Sequence, residues 1–237
     1  MVNLNKNHKW YVIKLGGSLI IPNGGANTKF VYKFNKFIRK KINAGTRFFI
    51  ICGGGATARH YRDAGWAIDK KITDFDLDWL GTHASRLNAQ LLRTLFRDLC
   101  YQKVIKDYDY IDKKALDHKL VIAGGWKPGR STDYDAVMLA VDYKVANTVF
   151  CLSNIKAVYS KDPNKFKDAK IYSKLSWKKY LKIIGTKWSP GMNVPWDPVA
   201  SQLAQKHDIK VVVCDGSDLD NFEKVLEGKK FKGTMIE

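Results

Sequence analysis

Short apolar runs alternate with amphipathic segments along this chain. Between Phe30 and Ile42, apolar residues recur at helical spacing and lysines occupy the opposite side. Strand-length apolar runs lie at residues 10–13, 47–52, 119–123, 148–152 and 209–214. Strands that alternate with helices favour a mainly parallel sheet with helices on both faces. We therefore expect a single α/β domain over residues 1–237, built as a three-layer α/β/α sandwich around a mainly parallel sheet.

Other helices follow from the same periodicity. A long helix is predicted from about Asp78 to Leu99, with Asp76 and Asp78 in its first turn, where negative charge suits the helix dipole. A shorter helix is predicted to begin near Thr132, which could cap it. The apolar side of the long helix is predicted to contain Leu80, Ala84, Leu87, Leu91, Leu92 and Leu95. Residues 185–198, rich in proline, indicate a long loop.

Glycines directly follow three of the predicted strands. The three loops read Lys14-Leu15-Gly16-Gly17-Ser18, then Gly53-Gly54-Gly55 with Arg59 one turn later, then Gly124-Gly125. Glycines at a strand end let backbone N–H groups approach an anion closely, and a following helix adds a favourable dipole. The carboxyl ends of parallel strands meet at one edge of a sheet, so these loops and the loop at residues 153–162 should share one site. The pattern predicts phosphate binding.

Two side chains near these loops could perform chemistry. Lys14 could stabilise negative charge that develops on phosphoryl oxygens, although a lysine at a strand end can also point into solvent. Asp133 could orient Lys14, hold a metal ion or accept a proton, yet Ser131-Thr132-Asp133 is also an ordinary helix-capping sequence. The five histidines have no metal-ligand spacing, and neither the Walker A loop nor the dinucleotide-binding fingerprint occurs in the sequence.

Composition limits the possible partners and location. The sequence has no apolar run near the roughly 20 residues needed to span a bilayer, and its first residues lack a signal peptide, so we expect a cytoplasmic protein without a membrane partner. Four cysteines without a C-x-x-C pair indicate reduced core residues. The formal net charge is +18. Because these charges are dispersed and no nucleic-acid motif accompanies them, a nucleic-acid partner is the less favoured interpretation.

The glycine loops occur together with further motifs in a recognisable order. In order, the motifs are Lys14 to Ser18, Gly53 to Gly55 with Arg59, Ser131-Thr132-Asp133, the loop from Asn154 to Pro163, and Trp196-Asp197-Pro198-Val199-Ala200. This order resembles the amino acid kinase family, and within it the archaeal enzymes that phosphorylate UMP. The resemblance extends from about Tyr11 to Ile236.

That resemblance implies a fold, a reaction and a set of roles. It implies transfer of the γ-phosphoryl group of ATP, bound with Mg²⁺, to UMP, in a homo-oligomer that is usually a hexamer. UMP would bind mainly to the N-terminal part and ATP to residues from about 150 to 237, with Lys14 stabilising the transition state and Asp133 organising that lysine. The resemblance assigns UMP binding to Gly54, Asp78, Trp126, Lys127, Pro128, Gly129, Arg130, Ser131 and Thr132. It assigns ATP binding to Gly17, Ser18, Gly55, Arg59, Ser153, Asn154, Tyr159 and Asp162.

Two departures from the family pattern leave alternatives open. The loop that usually reads N-V-D-G-V-Y has Lys156 in place of the acid and Ala157 in place of the glycine. The stretch from Ser189 to Pro195 has no lysine where many relatives carry one, so a second catalytic lysine is either missing or supplied from elsewhere. Its candidates are Lys127, Lys156 and Lys187. The alternatives are therefore another small-molecule kinase of this fold and a relative that binds a nucleotide or oxyanion without turnover.

Overall fold

A computed structural model describes residues 9–163, 165–187, 192 and 194–237 of the chain. Its nine strands are β1 (Trp10–Leu15), β2 (Arg47–Cys52), β3 (Leu120–Ala123), β4 (Thr148–Ser153), β5 (Val158–Tyr159), β6 (Ile171–Tyr172), β7 (Lys174–Leu175), β8 (Lys210–Asp215) and β9 (Thr234–Ile236). Its eight α-helices are α1 (Gly17–Ile20), α2 (Thr28–Asn43), α3 (Gly55–Ile68), α4 (Asp74–Leu95), α5 (Thr132–Asp142), α6 (Trp177–Ile184), α7 (Pro198–Lys206) and α8 (Leu219–Leu226). A 3₁₀ helix covers Lys113–Asp117.

Seven strands form one mainly parallel sheet in the order β3-β2-β1-β4-β8-β9-β7. Five neighbouring strands of this sheet, β3, β2, β1, β4 and β8, run parallel, whereas β9 pairs antiparallel with β8. Strands β5 and β6 form a separate antiparallel pair outside this sheet. The predicted mainly parallel sheet is therefore confirmed, with antiparallel pairing at one edge and in the small pair.

Alternate strand residues supply two cores, one on each face of the sheet. Val12 belongs to the core beneath α5, α6 and α7, and its neighbour Ile13 belongs to the core beneath α2 and α8. This alternation follows from the two-residue repeat of a strand. Helices cover both faces, so the predicted three-layer α/β/α architecture is confirmed. All four cysteines are free and buried, as predicted.

Helix α2 matches its predicted amphipathic segment. The Asn27 side chain accepts a hydrogen bond from the Phe30 amide at 3.1 Å and caps its start. Gly45, with φ of 91°, follows its end in a conformation that favours glycine. Its buried residues are Phe30, Val31, Phe34, Ile38 and Ile42. This stripe packs against the sheet and leaves Lys33, Lys36 and Lys40 in solvent.

The predicted bounds and buried face of α4 were partly wrong. The helix begins at Asp74, because the Thr73 side chain accepts a hydrogen bond from the Asp76 amide, and its first turn holds Asp74 and Asp76 rather than Asp78. It ends at Leu95 because the chain turns to bring Cys100 beside β3. Leu87 is 63% exposed and does not join the buried side. No described helix is long and apolar enough to cross a membrane.

Candidate active site

The carboxyl ends of β1, β2, β3 and β4 meet at one edge of the sheet and form a cleft of about 310 Å³. The three glycine loops and the start of the loop after β4 all contribute to its lining, as the strand pattern predicted. In parallel sheets this edge collects ligands because loops and helix starts converge there.

Backbone packing between two glycine loops forms one wall of the cleft. A Cβ atom on Gly17 would lie 2.1 Å from the Gly55 nitrogen, and one on Gly55 would lie 2.4 Å from the Gly17 oxygen. Gly55 also has a φ of 66°, a conformation that side chains disfavour. These positions therefore require glycine, and the wall presents backbone groups at the starts of α1 and α3.

Arg59 joins the two glycine loops at the rim. Its guanidinium donates hydrogen bonds to the Ser18 hydroxyl and to the Pro22 carbonyl, both at 3.1 Å. The side chain is thereby held across the first loop while its charge faces the cleft. A fixed guanidinium at this position suits a phosphate group, because its donors match phosphate oxygens.

Lys14 and Asp133 form an ion pair inside the cleft. The Lys14 Nζ atom lies 2.9 Å from Asp133 Oδ1, and the lysine side chain is only 16% exposed. Burial, the largest single influence, would lower the pKa of Lys14, but the combined effect of the Asp133 charge and hydrogen bond, Cys151 and Asp197 outweighs burial, and the pKa is raised. Lys14 therefore remains an ammonium ion at any working pH. The structure removes the alternative in which Lys14 points into solvent.

Asp197 holds Asp133 in place, and this role was not predicted from the sequence. The Asp197 amide donates a hydrogen bond to Asp133 Oδ2 at 3.0 Å, and its own carboxylate contacts the Ser131 hydroxyl. It also caps α7 by accepting from the Ala200 amide at 2.7 Å. Burial and the charge of Asp133 raise the pKa of Asp197 to about 6. In the sequence, the pair Asp197-Pro198 indicates a helix start, but not the contact with Asp133.

The loop after β3 contributes Gly125 and residues 130–133 to the opposite wall, and carboxylates hold this loop in place. The Gly129 amide donates to Asp78 Oδ2 at 2.6 Å, and the Trp126 amide donates to Asp135 Oδ2 at 3.0 Å. Burial raises the pKa of Asp78, and the Gly129 hydrogen bond opposes this shift. Ser131, rather than Thr132, caps α5 by accepting from the Tyr134 amide, so the prediction of a Thr132 cap was wrong. The serine is the residue with extended backbone before the first turn, as a capping residue requires.

Asp135 is a further residue that sequence reasoning missed. It is fully buried, and its Oδ1 atom has no hydrogen-bond partner in the described part of the protein. Burial raises the pKa of Asp135 well above its ordinary value, and the nearby carboxylates of Asp197 and Asp133 add to the shift. Asp135 is therefore held as a neutral acid over a wider pH range than an ordinary aspartate.

Residues of α4 support the loops from behind. The Asn88 amide donates to the Gly53 carbonyl at 2.8 Å, and the Ser85 hydroxyl accepts from the Gly125 amide at 2.7 Å. The Arg86 guanidinium donates to the Gly125 carbonyl at 2.9 Å. These contacts join residues more than 30 positions apart, so no local sequence signal identifies them.

Most of the predicted site residues line this cleft. Those that do are Lys14, Gly17, Ser18, Gly54, Gly55, Arg59, Asp78, Arg130, Ser131, Thr132, Asp133, Ser153 and Asn154. Trp126, Lys127, Pro128 and Gly129 lie outside the lining. The Lys127 ammonium instead lies 3.6 Å from the centre of the Trp126 ring and 3.5 Å from Asp109.

A second cavity of about 1010 Å³ adjoins the cleft. The two share Asn154, Ile155, Val194 and Pro195. Tyr159 and Asp162, both assigned to ATP by resemblance, line this second cavity, as does Lys156. The pair of cavities offers room for two ligands, one of them beside Lys14 in the cleft.

None of the three candidates for a second catalytic lysine lines the cleft together with Lys14. Lys187 is exposed, Lys156 lines the second cavity, and Lys127 contacts Asp109. Within the described ranges, Lys14 is the one lysine that lines the cleft. Most of the stretch from Ser189 to Pro195 lies outside the described residues.

Comparison with known proteins places the chain in a family. The model of the amino acid kinase family matches residues 9–215. The uridylate kinase of Sulfurisphaera tokodaii is 37% identical over 206 residues, which cover 84% of this chain and 88% of that protein. The uridylate kinase of Methanocaldococcus jannaschii is 31% identical over 229 residues, covering 95% of this chain and 98% of that protein.

Solved structures agree with the sequence comparison. The crystal structure of uridylate kinase from Archaeoglobus fulgidus has a TM-score of 0.79 and 28% identity, covering 97% of this chain and all of that one. Aspartate kinase from Synechocystis, at 16% identity and a TM-score of 0.71, covers 87% of this chain and 38% of its own length, and it shares the fold alone. The chain therefore belongs to the amino acid kinase family.

Proposed function

We propose that this protein is a UMP kinase, which transfers the γ-phosphoryl group of Mg-ATP to UMP and gives UDP and ADP. One observation carries the proposal. A buried, charged lysine lies in a cleft lined by two glycine loops, and a larger cavity adjoins this cleft at Asn154, Ile155, Val194 and Pro195. The names of the archaeal relatives favour UMP as the acceptor.

In this proposal UMP occupies the cleft, and ATP lies with its adenosine in the adjoining cavity and its phosphates extending into the cleft. Asp78 would meet the UMP ribose, and residues 126–132 would surround its base and phosphate. Gly54 would contact the UMP phosphate, while Gly17, Ser18, Gly55 and Arg59 would line the phosphates of ATP. Ser153, Asn154, Tyr159 and Asp162 would hold its adenosine.

The transfer step needs positioning and charge stabilisation rather than a general base. A UMP phosphate oxygen forms the new bond to the γ-phosphorus, and the bond between that phosphorus and the β,γ-bridging oxygen breaks, so ADP leaves with the electron pair. The acceptor phosphate has a second pKa of about 6 and is mostly ionised at neutral pH. Lys14 would stabilise the charge on the transferred group, and Asp133 would orient Lys14.

A Mg²⁺ ion fits this site as a companion of the nucleotide. Mg²⁺ commonly binds through one or two carboxylates together with substrate phosphates and water. Among the residues described by the structure, no group of three or more potential ligands forms a dedicated metal site. Asp133 and Asp197 are cleft carboxylates that could hold an ion brought by ATP, and the ion would supply neutralisation of phosphate charge.

The proposal includes a cytoplasmic homo-oligomer, by family resemblance a hexamer. Large apolar side chains exposed on α3 and α4 support self-association, among them Tyr61 at 63% and Phe75 at 61% exposure. Light scattering coupled to size-exclusion chromatography would give the mass of the assembly. A mass equal to one chain would contradict this part of the proposal.

A panel of acceptors tests the activity. Purified protein with ATP and Mg²⁺ is given UMP, CMP, AMP, N-acetylglutamate or isopentenyl phosphate, and products are followed by ³¹P NMR. We expect UDP and ADP in equal amounts, with UMP the fastest acceptor. Preferred turnover of another acceptor would assign a different kinase activity, and ATP binding without any product would assign a non-catalytic role.

A further inference from the structure

One part of the protein concentrates positive charge beyond what the cleft requires. Ten lysines and two aspartates lie between Lys156 and Lys187, which gives this segment a net charge of +8 out of the chain's +18. It contains no arginine, glutamate or histidine. We call residues 156–187 the lysine lobe, with Asn164 outside the described residues.

The lysines of the lobe are all in solvent. Each of the ten is exposed, so none is committed to the protein interior. Two of them form ion pairs, Lys161 with Asp168 at 2.7 Å and Lys174 with Glu237. Because two aspartates cannot balance ten lysines, the lobe keeps a strong positive potential.

The lobe supplies most of the residues that line the second cavity. Lys156 and Lys161 line that cavity directly, and Ile183 and Ile184 of α6 contribute to the same lining. Lys170 lies next to the lining, since its amide donates a hydrogen bond to the hydroxyl of the lining residue Ser160 at 3.1 Å. A cavity large enough for a nucleotide is therefore built mainly by the most positively charged segment of the chain.

We propose that the lysine lobe is an electrostatic collector that draws nucleoside triphosphates to the second cavity. This inference rests on the proposed function, in which the cavity takes ATP. A triphosphate keeps negative charge even when it carries Mg²⁺. Charge of one sign around a cleft raises the local concentration of an oppositely charged ligand and its association rate, and salt screens the effect.

Reversing charges outside the cavity lining tests long-range attraction of ATP without changing residues that would contact the bound nucleotide. Lys165, Lys167 and Lys170 are exposed and lie outside the lining, so the variant K165E/K167E/K170E changes the field without removing a cavity wall. The matched control is K113E/K114E/K119E, which makes the same charge change at exposed lysines near the amino end of β3. The variant K165Q/K167Q/K170Q halves the charge change and serves if the reversal impairs folding.

Stopped-flow binding of N-methylanthraniloyl-ATP measures collection without turnover. We expect the lobe reversal to slow association about tenfold at low ionic strength, the glutamine variant to be intermediate, and the control to stay within about twofold. The gap should close to about twofold or less at roughly 0.5 M salt, where charges are screened over a few ångströms. The kcat for UDP formation at saturating ATP should be unchanged.

Three outcomes would overturn the proposal. Equal slowing of association in the lobe and control variants would assign the effect to the net charge of the protein alone. An unchanged association rate in the lobe variant would show that the lysine lobe does not attract ATP. Tight retention of a labelled single-stranded RNA by the wild type at roughly 0.15 M salt, lost in the lobe variant, would assign the surface to nucleic acid instead. The wild-type acceptor panel tests the kinase activity separately, so the two proposals fail independently.

Discussion

The two walls of the cleft are built by different means. The glycine wall, residues 16–17 and 53–55, is fixed by close packing that leaves no space for a side chain. The carboxylate wall is Gly125 with residues 130–133 of the loop after β3, and Asp78, Asp135 and Asp197 hold that loop. Burial raises the pKa of each of these three acids. The glycine wall should therefore be insensitive to pH and intolerant of added atoms. The carboxylate wall should respond to pH and tolerate small changes in side-chain size.

Lys14 lies where the two walls meet, and its loss should have the largest effect. We expect Lys14→Met to lower kcat about 1,000-fold, because a fixed charge that stabilises a transition state is typically worth about 100- to 1,000-fold or slightly more. The kcat is measured by UDP formation at saturating substrates. Thermal unfolding of the variant shows whether it remains folded, and a loss below about tenfold would remove Lys14 from the transition state.

A single methyl group should break the glycine wall. Gly17→Ala would place a Cβ atom 2.1 Å from the Gly55 nitrogen, so the two loops must separate. We expect kcat/KM to fall about 100-fold, as small displacements of positioning groups do in other sites. The control is Gly25→Ala, whose Cβ would have no atom within 4 Å. Equal activity of both variants would contradict the close packing.

Asp197 should give the carboxylate wall a signature in stability. The pKa of Asp197 is about 6 in the folded protein and has the ordinary value of 3.8 in the unfolded chain. Between these values the folded state binds a proton more tightly than the unfolded state does. The free energy of unfolding therefore decreases as the pH rises from about 4 to 6. Asp197→Asn keeps a capping side chain and removes the titration. Between pH 4 and pH 7, the free energy of unfolding of the variant should improve relative to wild type by up to about 2 kcal/mol.

Urea unfolding at the two pH values measures this difference. Asp63→Asn is the control, because Asp63 is an exposed acid on α3 outside the cleft lining. A constant difference between wild type and Asp197→Asn at both pH values would show that Asp197 does not titrate in this range.

Substitution of Asp135 should have the smallest effect on activity, and it should change only the KM for the acceptor UMP. Asp135→Val leaves the partly buried Trp126 amide without its partner, and we expect the KM for UMP to rise about tenfold, because an unsatisfied donor of this kind costs about 1–3 kcal/mol. The kcat and the KM for ATP should change little. Asp135→Asn can still accept from that amide and should restore the KM for UMP.

The control for Asp135 lies on the same helix. Asp142→Val makes the same chemical change at the other end of α5, away from the cleft lining. A KM for UMP that rises equally in both valine variants would indicate general damage to α5 rather than a specific role for Asp135.

The difference between the walls also explains what the sequence could predict. The glycine wall depends on residues next to one another after apolar strands, so a local pattern identifies it. The carboxylate wall depends on contacts such as that of Asp197 with Asp133, 64 positions away. Local patterns likewise predicted α2 well, but they missed the Thr73 cap that starts α4 and the exposure of Leu87, which tertiary packing decides.

A crystal structure with UMP and the β,γ-imido analogue of ATP tests the central claim most directly. We predict UMP in the cleft with its ribose at Asp78 and the adenosine in the second cavity. The triphosphate should extend into the cleft, with Lys14 Nζ within hydrogen-bond distance of the γ-phosphate while still paired with Asp133. A structure in which UMP lies outside the cleft, or in which Lys14 contacts neither phosphate group, would contradict the account.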